Sequence, residues 1–280
     1  MKKTILIALA SIALISMIYQ FQLKTKTNNK QIDQREQRKQ SNNSNWLPNT
    51  HGEIVHHSFY SLSYIEKFEQ AEWVAYELNT NNQKGQYFKR NDNFRPDPDV
   101  RTGSATPNDY KGSGFDRGHL CPAGDMNFNE QAMDETFYMS NMSPQERHLN
   151  HGIWRELEEN NRVWLKKNEQ LFVVTGPILT NIKRTIGRQN KVGVPEMYYK
   201  VIVNKNAKKG IAWMIPNQMC TETLDQFACT IDEVEKATDL NFFPDLDPET
   251  EKQIESQFNV QYWPWDRSKY QQRLNKWNVE

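Results

Sequence analysis

Four short apolar runs limit this chain to a fold that contains a buried β-sheet. They are rich in β-branched and aromatic residues, as buried strands are. The runs are EWVAYEL at 72–78, LFVVT at 171–175, MYYKVIV at 197–203 and IAWMI at 211–215. Helices are predicted at 129–137, where Asn129 is a capping residue, at 152–167 and at 230–237. Because strands and helices do not alternate as in βαβ units, we predict an α+β protein with a mixed or antiparallel central sheet flanked by helices.

The N-terminus predicts export. Two lysines precede an apolar run at 4–18, a pattern typical of a secretory signal or a signal-anchor. No small-x-small pair follows the run, so residues 1–21 are interpreted as a signal peptide or a signal-anchor. Residues 22–45 are rich in Lys, Asn, Gln and Ser and predict a polar linker, which leaves the folded domain at 46–280. We expect a periplasmic, extracellular or outward-facing anchored protein that meets a membrane only through this anchor.

The zero net charge of the chain conceals an uneven distribution. Residues 1–45 carry eight basic and two acidic residues, and the rest carries 27 and 33, a net charge of −6. This excludes a strongly basic coat protein of nucleic acid, so any polyanion must bind a local patch. Residues 183–210 hold eight Lys or Arg and one acid, whereas 222–256 hold eleven acids and two Lys. The basic stretch is either a solvated face or a strip that binds a polyanion.

The three cysteines allow one plausible disulfide. Cys220 and Cys229 could close a short loop in an oxidising compartment, and Cys121 would then be a buried free thiol. The aromatic tail at 262–265 could stack on bases, but we expect it to pack the C-terminus on the core.

Residues suited to phosphodiester chemistry cluster at 116–119, Asp-Arg-Gly-His. On a strand, Arg117 and His119 would point to the same face. Histidine can accept a proton near neutral pH, and arginine can hold a phosphate with two hydrogen bonds.

A second group of polar residues lies at 150–158. Asn150, Trp154 and Glu158 recur every four residues, so on a regular helix they drift by about 40° per step. Asn150 and Glu158 would be about 12 Å apart, able to line one groove but not to bind one ion together. An amide oxygen suits Mg²⁺, which keeps several waters. His148 and His151 could form half of a zinc site, for which the sequence offers no third ligand of suitable spacing.

Three ordered motifs resemble the DNA/RNA non-specific endonuclease family, the sugar-nonspecific ββα-metal or His-Me finger nucleases. They are DRGH at 116–119, SNMSPQ at 140–145 and LNHGIW at 149–154. Gly193-Val194-Pro195 and Glu235 with Phe242-Phe243-Pro244 extend the likeness to about residues 55–265. The resemblance implies a ββα-metal active site and a metal-dependent endonuclease that cleaves DNA and RNA and leaves 5′-phosphates.

The resemblance also implies roles for individual residues. His119 matches the general base, Arg117 the motif arginine that supports the site and the phosphate, and Asn150 the single direct protein ligand of Mg²⁺. Asn141 matches the asparagine that supports the metal and histidine region, and Glu158 matches a carboxylate that orients water near the metal.

Three points remain open within this resemblance. A further phosphate-binding arginine is either Arg90 or Arg95, with Arg90 preferred. Mn²⁺ could replace Mg²⁺. The alternative to a nuclease is a catalytically inactive protein of the same fold that binds nucleic acid, which the net charge of −6 motivates.

Overall fold

The computed structural model of the chain describes residues 46–278, except Gln86 and Ala207, together with Gln20. Contacts within the chain divide it into residues 1–43 and 44–280. The predicted leader at 1–21 and linker at 22–45 lie, Gln20 apart, outside the described residues. Within the described part, every helix is too short or too polar to cross a membrane.

A seven-stranded sheet organises residues 44–280. Its order is β1-β2-β3-β6-β9-β10-β11, and every pair of neighbours is antiparallel. Two small two-stranded sheets, β4-β5 and β7-β8, lie beside it. The strands are β1 Glu53–His56, β2 Tyr60–Ile65, β3 Gln70–Asn79, β4 Asp116–His119, β5 Met142–Gln145, β6 Gln170–Pro177, β7 Arg184–Ile186, β8 Val192–Val194, β9 Met197–Asn204, β10 Gly210–Pro216 and β11 Ala228–Cys229. The predicted α+β class is confirmed, and all four predicted strands are present.

The described residues form the three predicted α-helices and three more. They are α1 Pro107–Tyr110, α2 Glu130–Glu135, α3 Trp154–Asn168, α4 Ile231–Thr238, α5 Pro248–Glu255 and α6 Arg267–Gln272. Asn129 caps α2 by accepting a hydrogen bond from the Ala132 amide. A wider, π-type turn at Leu149–Ile153 leads into α3, and Gly152 has a non-helical backbone there (φ −99°, ψ −111°). The stretch 150–158 is therefore not one regular helix.

Both faces of the main sheet are buried, which is why its strands are continuous apolar runs. Along β3, Val74 and Tyr76 contribute to one core and Trp73 and Ala75 to the other, the two-residue alternation of a strand. Helix α3 covers the first face and α4 and α5 cover the second. Trp263 from the aromatic tail is buried on the α3 face, 5.6 Å from the Trp164 ring, so the tail packs on the core as expected.

All three cysteines are buried free thiols. Cys220 belongs to the core on the α3 face, whereas Cys229 belongs to the core on the α4 face. The bridge considered between Cys220 and Cys229 is not formed, because the two thiols lie in different cores. Cys121 is fully buried, as expected.

The basic stretch at 183–210 does not form a single strip. Lys200 is fully buried beneath α3, where its ammonium lies 4.8 Å from the Trp154 ring centre. Lys183 pairs with Glu196, and Lys205 lines a cavity at the far end of α3. Lys200 and Lys183 are therefore not available to one polyanion surface, whereas a role of the other basic residues of the stretch stays a prediction.

Candidate active site

Strands β4 and β5 carry the DRGH and SNMSPQ motifs side by side. They pair in antiparallel register, with Gly118 opposite Ser143 and His119 opposite Met142. A Cβ atom on Gly118 would lie 2.1 Å from Oε1 of Gln145, so a larger residue would displace that side chain or separate the strands. With α3 following β5, the arrangement is the expected two strands and a helix.

Two phenylalanine rings flank His119. Its ring lies 5.1 Å from Phe137, edge to face, and 5.8 Å from Phe94. Each of these rings also carries a cation, with the Arg117 guanidinium 3.9 Å from the Phe94 centre and the Arg90 guanidinium 5.0 Å from the Phe137 centre. Arg117 and His119 therefore share a face, as predicted. The two phenylalanines carry no motif signal in the sequence.

Burial and two cations keep the His119 imidazole neutral. The side chain is 9% exposed, and its Nε2 atom is buried without a hydrogen-bond partner in the described structure. Burial is the main cause that lowers its pKa to about 3, and the charges of Arg90 and Arg117 lower it further. A neutral imidazole is the form that can accept a proton.

Asn141 holds the backbone that follows His119. Its Oδ1 accepts from the Cys121 amide at 2.8 Å, and its Nδ2 donates to the carbonyls of Cys121 (2.9 Å) and Thr136 (2.8 Å). The side chain is fully buried. All of its hydrogen-bonding groups face backbone, so Asn141 positions the histidine strand and is not placed to bind a metal.

A cavity of about 690 Å³ opens above these strands. The charged and amide residues that line it include Arg90, Arg117, Asp116 and Asn150. Nδ2 of Asn150 donates to Oδ2 of Asp116 at 3.0 Å, and Nε2 of His151 lies 3.2 Å from the same oxygen. Asp116 thus fixes the orientation of Asn150. The motif contained Asp116, but the sequence analysis gave it no role.

The oxygen atoms of Asn150 and Asp116 in this cavity are suitable ligands for a hard divalent cation. Because Nδ2 of Asn150 faces Asp116, the amide oxygen is left without a hydrogen-bond donor among the described residues. An amide oxygen beside a carboxylate is the oxygen chemistry that Mg²⁺ and Mn²⁺ prefer. Asn150 and Asp116 are therefore the residues that could hold the ion.

Glu158 is not among the residues that line the cavity with Asn150. It is partly buried on α3 in the neighbourhood of Asp125, Arg162 and Lys200. Burial raises its pKa to about 7, and the Asp125 carboxylate adds to this while Lys200 and Arg162 oppose it. Trp154 is in the core. The prediction that Asn150 and Glu158 line one groove stays a prediction; the wider turn at 149–153 precedes α3, so the two residues do not lie on one regular helix.

The two candidate arginines occupy different surroundings. Arg90 lines the cavity and pairs with the exposed Asp92 at 2.6 Å. Arg95 instead forms an ion pair with Asp134 at 2.5 Å and lies 4.0 Å from the Tyr138 ring centre. Of the two, Arg90 is the one near Arg117 and His119.

A separate His/Asp cluster lies behind the site. Ligand atoms of His57, Asp97 and Asp99 come within 4.8 Å of one another, so the cluster could hold a metal ion. His57 Nε2 is already 2.9 Å from Asp97 Oδ2, and Ser140 donates to the same oxygen at 2.5 Å. This buried network links β1 to the residue before Asn141, a structural role that accounts for its polar groups.

His148 and His151, the two histidines considered for a zinc site, face different carboxylates. Nδ1 of His148 lies 2.8 Å from Glu146, whereas His151 faces Asp116. Among the described residues, no three-ligand cluster contains either of them.

Comparisons with known proteins agree with this geometry. The profile of the family described as DNA/RNA non-specific endonuclease matches residues 29–249. The chain is 34% identical to human mitochondrial endonuclease G over 202 residues, 67% of this chain and 68% of that protein. It is 38% identical to nuclease C1 of Cunninghamella echinulata var. echinulata over 222 residues, 72% of this chain and 87% of that protein.

A solved structure is similar as well. It is described as "Crystal structure of the EndoG/EndoGI complex: Mechanism of EndoG inhibition". The match has a TM-score of 0.66 and 29% identity, and it covers 74% of this chain and 92% of that one.

Proposed function

The chain belongs to the DNA/RNA non-specific endonuclease family, and on that basis we propose that it hydrolyses phosphodiester bonds of both DNA and RNA with His119 as general base, leaving 5′-phosphate ends. The observation that carries the proposal is the grouping of Arg90, Arg117 and Asn150 around one cavity above His119. Contacts to phosphate rather than to base edges would explain cleavage of both nucleic acids.

His119 accepts the proton of the attacking water in this mechanism. The depressed pKa keeps its imidazole neutral at physiological pH but also makes it a weak base. A phosphate that binds near Arg90 and Arg117 would offset the two positive charges that help to lower the pKa. Substrate binding would therefore raise the basicity of His119 at the step that needs it.

Arg117 is the principal phosphate contact. Its guanidinium forms no ion pair with a carboxylate in the described part of the chain and is held on the Phe94 ring. Arg90 adds a second cation, once the phosphate competes with the exposed Asp92. Together they stabilise the charge that develops on the phosphate.

Asn150, oriented by Asp116, would hold Mg²⁺ or Mn²⁺. When bound, the ion supplies positive charge that stabilises the developing negative charge on the phosphate and the leaving 3′ oxygen. Glu158 acts through its charge in this proposal, since its charged neighbours include Asp125, Arg162 and Lys200. It would set the electrostatic potential behind the site.

We also propose that the protein is exported. The apolar run at 4–18 and the polar stretch that follows support a leader or an anchor ahead of the catalytic domain at 46–280. Cell fractionation of the full chain, with a variant lacking residues 1–21, tests this: both forms remaining in the cytoplasm would overturn it.

A digestion assay tests the catalytic proposal. Plasmid DNA and RNA are incubated with the protein in Mg²⁺ or in EDTA, beside His119→Ala. A matched control is His148→Ala, whose ring pairs with Glu146 outside the cavity. We expect Mg²⁺-dependent loss of both substrates, abolished by His119→Ala and retained by His148→Ala.

The inactive binding protein is the alternative that the same assay separates. It is motivated by the net charge of −6 in residues 46–280. Salt-dependent binding by a folded wild type, with no products in Mg²⁺ or Mn²⁺, would favour it over the nuclease.

A further inference from the structure

A second, larger cavity lies at the far end of α3 from Asn150. It has a volume of about 800 Å³ and is lined by the end of β3, the turn at Asn82–Lys84, the C-terminal half of α3 and Lys205. We call it the basic groove and define it by Lys84, Tyr87, Arg162, Lys166 and Lys205. Neither the family motifs nor the mechanism above uses these residues.

Positive charge in the basic groove is not neutralised by the protein. The ammonium groups of Lys84, Lys166 and Lys205 make no ion pair with the described carboxylates. Arg162 is the exception, because it donates to Asp125 at 2.6 Å. Glu169 is the one acidic residue among those that line the groove. Three free cations in a concave surface favour a polyanion.

An open aromatic ring lies among these cations. Tyr87 is 58% exposed, the most exposed of the large hydrophobic side chains in the described structure. Its hydroxyl donates to the Gln83 carbonyl at 2.6 Å. An exposed ring beside lysines is the arrangement with which proteins stack a base of single-stranded nucleic acid.

Short segments link the residues of the basic groove to those of the catalytic cavity. Tyr87 precedes Arg90 by three residues, at most about 10 Å of extended chain. The Phe88 amide between them donates to the Asn127 carbonyl at 2.7 Å. Arg162 and Gln83 both contact Asp125, which follows the DRGH strand. One polynucleotide strand could therefore lie across both sites.

We propose that the basic groove binds the polynucleotide strand adjacent to the scissile phosphate, with its phosphates on Lys84, Lys166 and Lys205 and a base stacked on Tyr87. This inference rests on the proposed function. The groove then contributes to the affinity for long substrates, and the residues around His119 carry out the chemical step.

Binding is measured separately from turnover. Fluorescence anisotropy reports the Kd of a labelled single-stranded oligonucleotide of about 20 nucleotides, long enough to cover both sites. The protein carries His119→Ala and the buffer contains EDTA. One variant replaces Lys84, Lys166 and Lys205 with Gln, and another is Tyr87→Ala with Tyr87→Phe beside it. The matched control replaces Lys67, Lys236 and Lys252 with Gln, which removes the same charge elsewhere.

If the groove contacts the polynucleotide directly, the groove variants should weaken binding more than the charge-matched control does. The groove variant should weaken binding about tenfold or more and reduce the slope of log Kd against log salt by about two, since each lost phosphate contact on a single strand contributes about 0.7. Tyr87→Ala should weaken binding about fivefold or more, whereas Tyr87→Phe should not. Equal losses in the groove variant and the control, or no loss in either, would overturn the proposal.

Catalysis supplies a second readout, in proteins that retain His119. The groove variant should lose kcat/KM on the oligonucleotide but keep it on bis(p-nitrophenyl) phosphate, which is too small to reach the groove. An equal loss on both would mean that the groove acts on the active site itself and would overturn the proposal. Absence of cleavage by wild type would refute the nuclease function, while the anisotropy measurements would still report on the groove.

Discussion

The His119 side chain is buried, and the guanidinium groups of Arg90 and Arg117 lie nearby. Its neutral form is favoured because the ring is enclosed by Phe94 and Phe137, each of which supports an arginine. The same residues that lower its pKa are those that we propose to bind phosphate. The free protein and the substrate complex should therefore differ in the basicity of this side chain.

The imidazole of His119 should titrate far below an ordinary histidine in the free protein. Its folded pKa of about 3 lies below the unfolded value of about 6.5. The unfolded chain consequently binds the proton first, and stability contributed by the neutral ring is lost as pH falls from 6.5 towards 3. An NMR titration of the ring resonances would contradict this if His119 titrated near 6.5.

Glu255 should make stability depend on pH in the opposite sense. It lies within 4.8 Å of Asp232 and Glu235, and burial with these carboxylates raises its pKa to about 8. The folded state holds a proton that the unfolded state releases above about 4.5, so this stabilisation is present at low pH and is lost as pH rises through 8. Glu255→Gln should therefore raise the free energy of unfolding at pH 8 by about 1–2 kcal/mol and change it little at pH 5.

Urea unfolding at both pH values measures the effect. Glu249→Gln, an exposed residue of the same helix, is the control and should show no such difference between the two pH values. A gain for Glu255→Gln that is the same at pH 5 and pH 8 would exclude the shared-carboxylate explanation.

Among the elements, the pair β4–β5 matters most to the site because it carries both motifs in one register. The wider turn at Leu149–Ile153 then sets Asn150 apart from the rest of α3. Asn150 lies in this turn and Glu158 in α3, so the two residues are not on one regular helix. The geometry of two short elements thus decides which motif residues meet.

Gly118→Ala should disturb this pair. The added methyl group would meet Oε1 of Gln145 at 2.1 Å in a fully buried position, so either the strands separate or Gln145 moves. We expect a loss of about 1–3 kcal/mol in the free energy of unfolding and lower nuclease activity, because Arg117 and His119 flank the glycine. Gly85→Ala is the control, since nothing lies within 4 Å of its added Cβ; similar unfolding midpoints for the two variants would refute the steric argument.

On the scale of the whole molecule, the unit at 44–280 begins two residues before Trp46, whose ring packs on the main sheet. Contacts separate residues 1–43 from 44–280, and Trp46 stacks on Phe172 of the main sheet with ring centres 3.9 Å apart. Trp46 also meets the edge of Phe243 at 5.8 Å. The first residues of the unit therefore cover one face of the sheet.

Shortening the chain should have little effect up to this anchor and a clear effect beyond it. A protein that begins at Ser44 should keep the thermal unfolding midpoint of one that begins at residue 22. A protein that begins at Asn49 lacks Trp46 and should lose about 2 kcal/mol or more, because the covered apolar surface of Phe172 becomes exposed. Calorimetry on the three proteins decides the point, and equal midpoints for the starts at Ser44 and Asn49 would contradict it.

Much of this protein could be predicted from local sequence. The four apolar runs became strands, Asn129 capped its helix, and the ordered motifs identified the family. These predictions succeeded because alternation, capping and motif spacing are local properties that the chain carries wherever it folds.

Tertiary structure alone decided which side chains meet. The Phe94 and Phe137 rings reach His119 from separate loops, and Asp116 orients Asn150 across 34 residues. Cys220 and Cys229 are only nine residues apart, yet one packs in the core on the α3 face of the sheet and the other in the core on the α4 face. The basic groove assembles lysines from the turn after β3, from α3 and from the end of β9. Such contacts depend on how distant segments pack, so the free energy that specifies them is absent from any single segment of sequence.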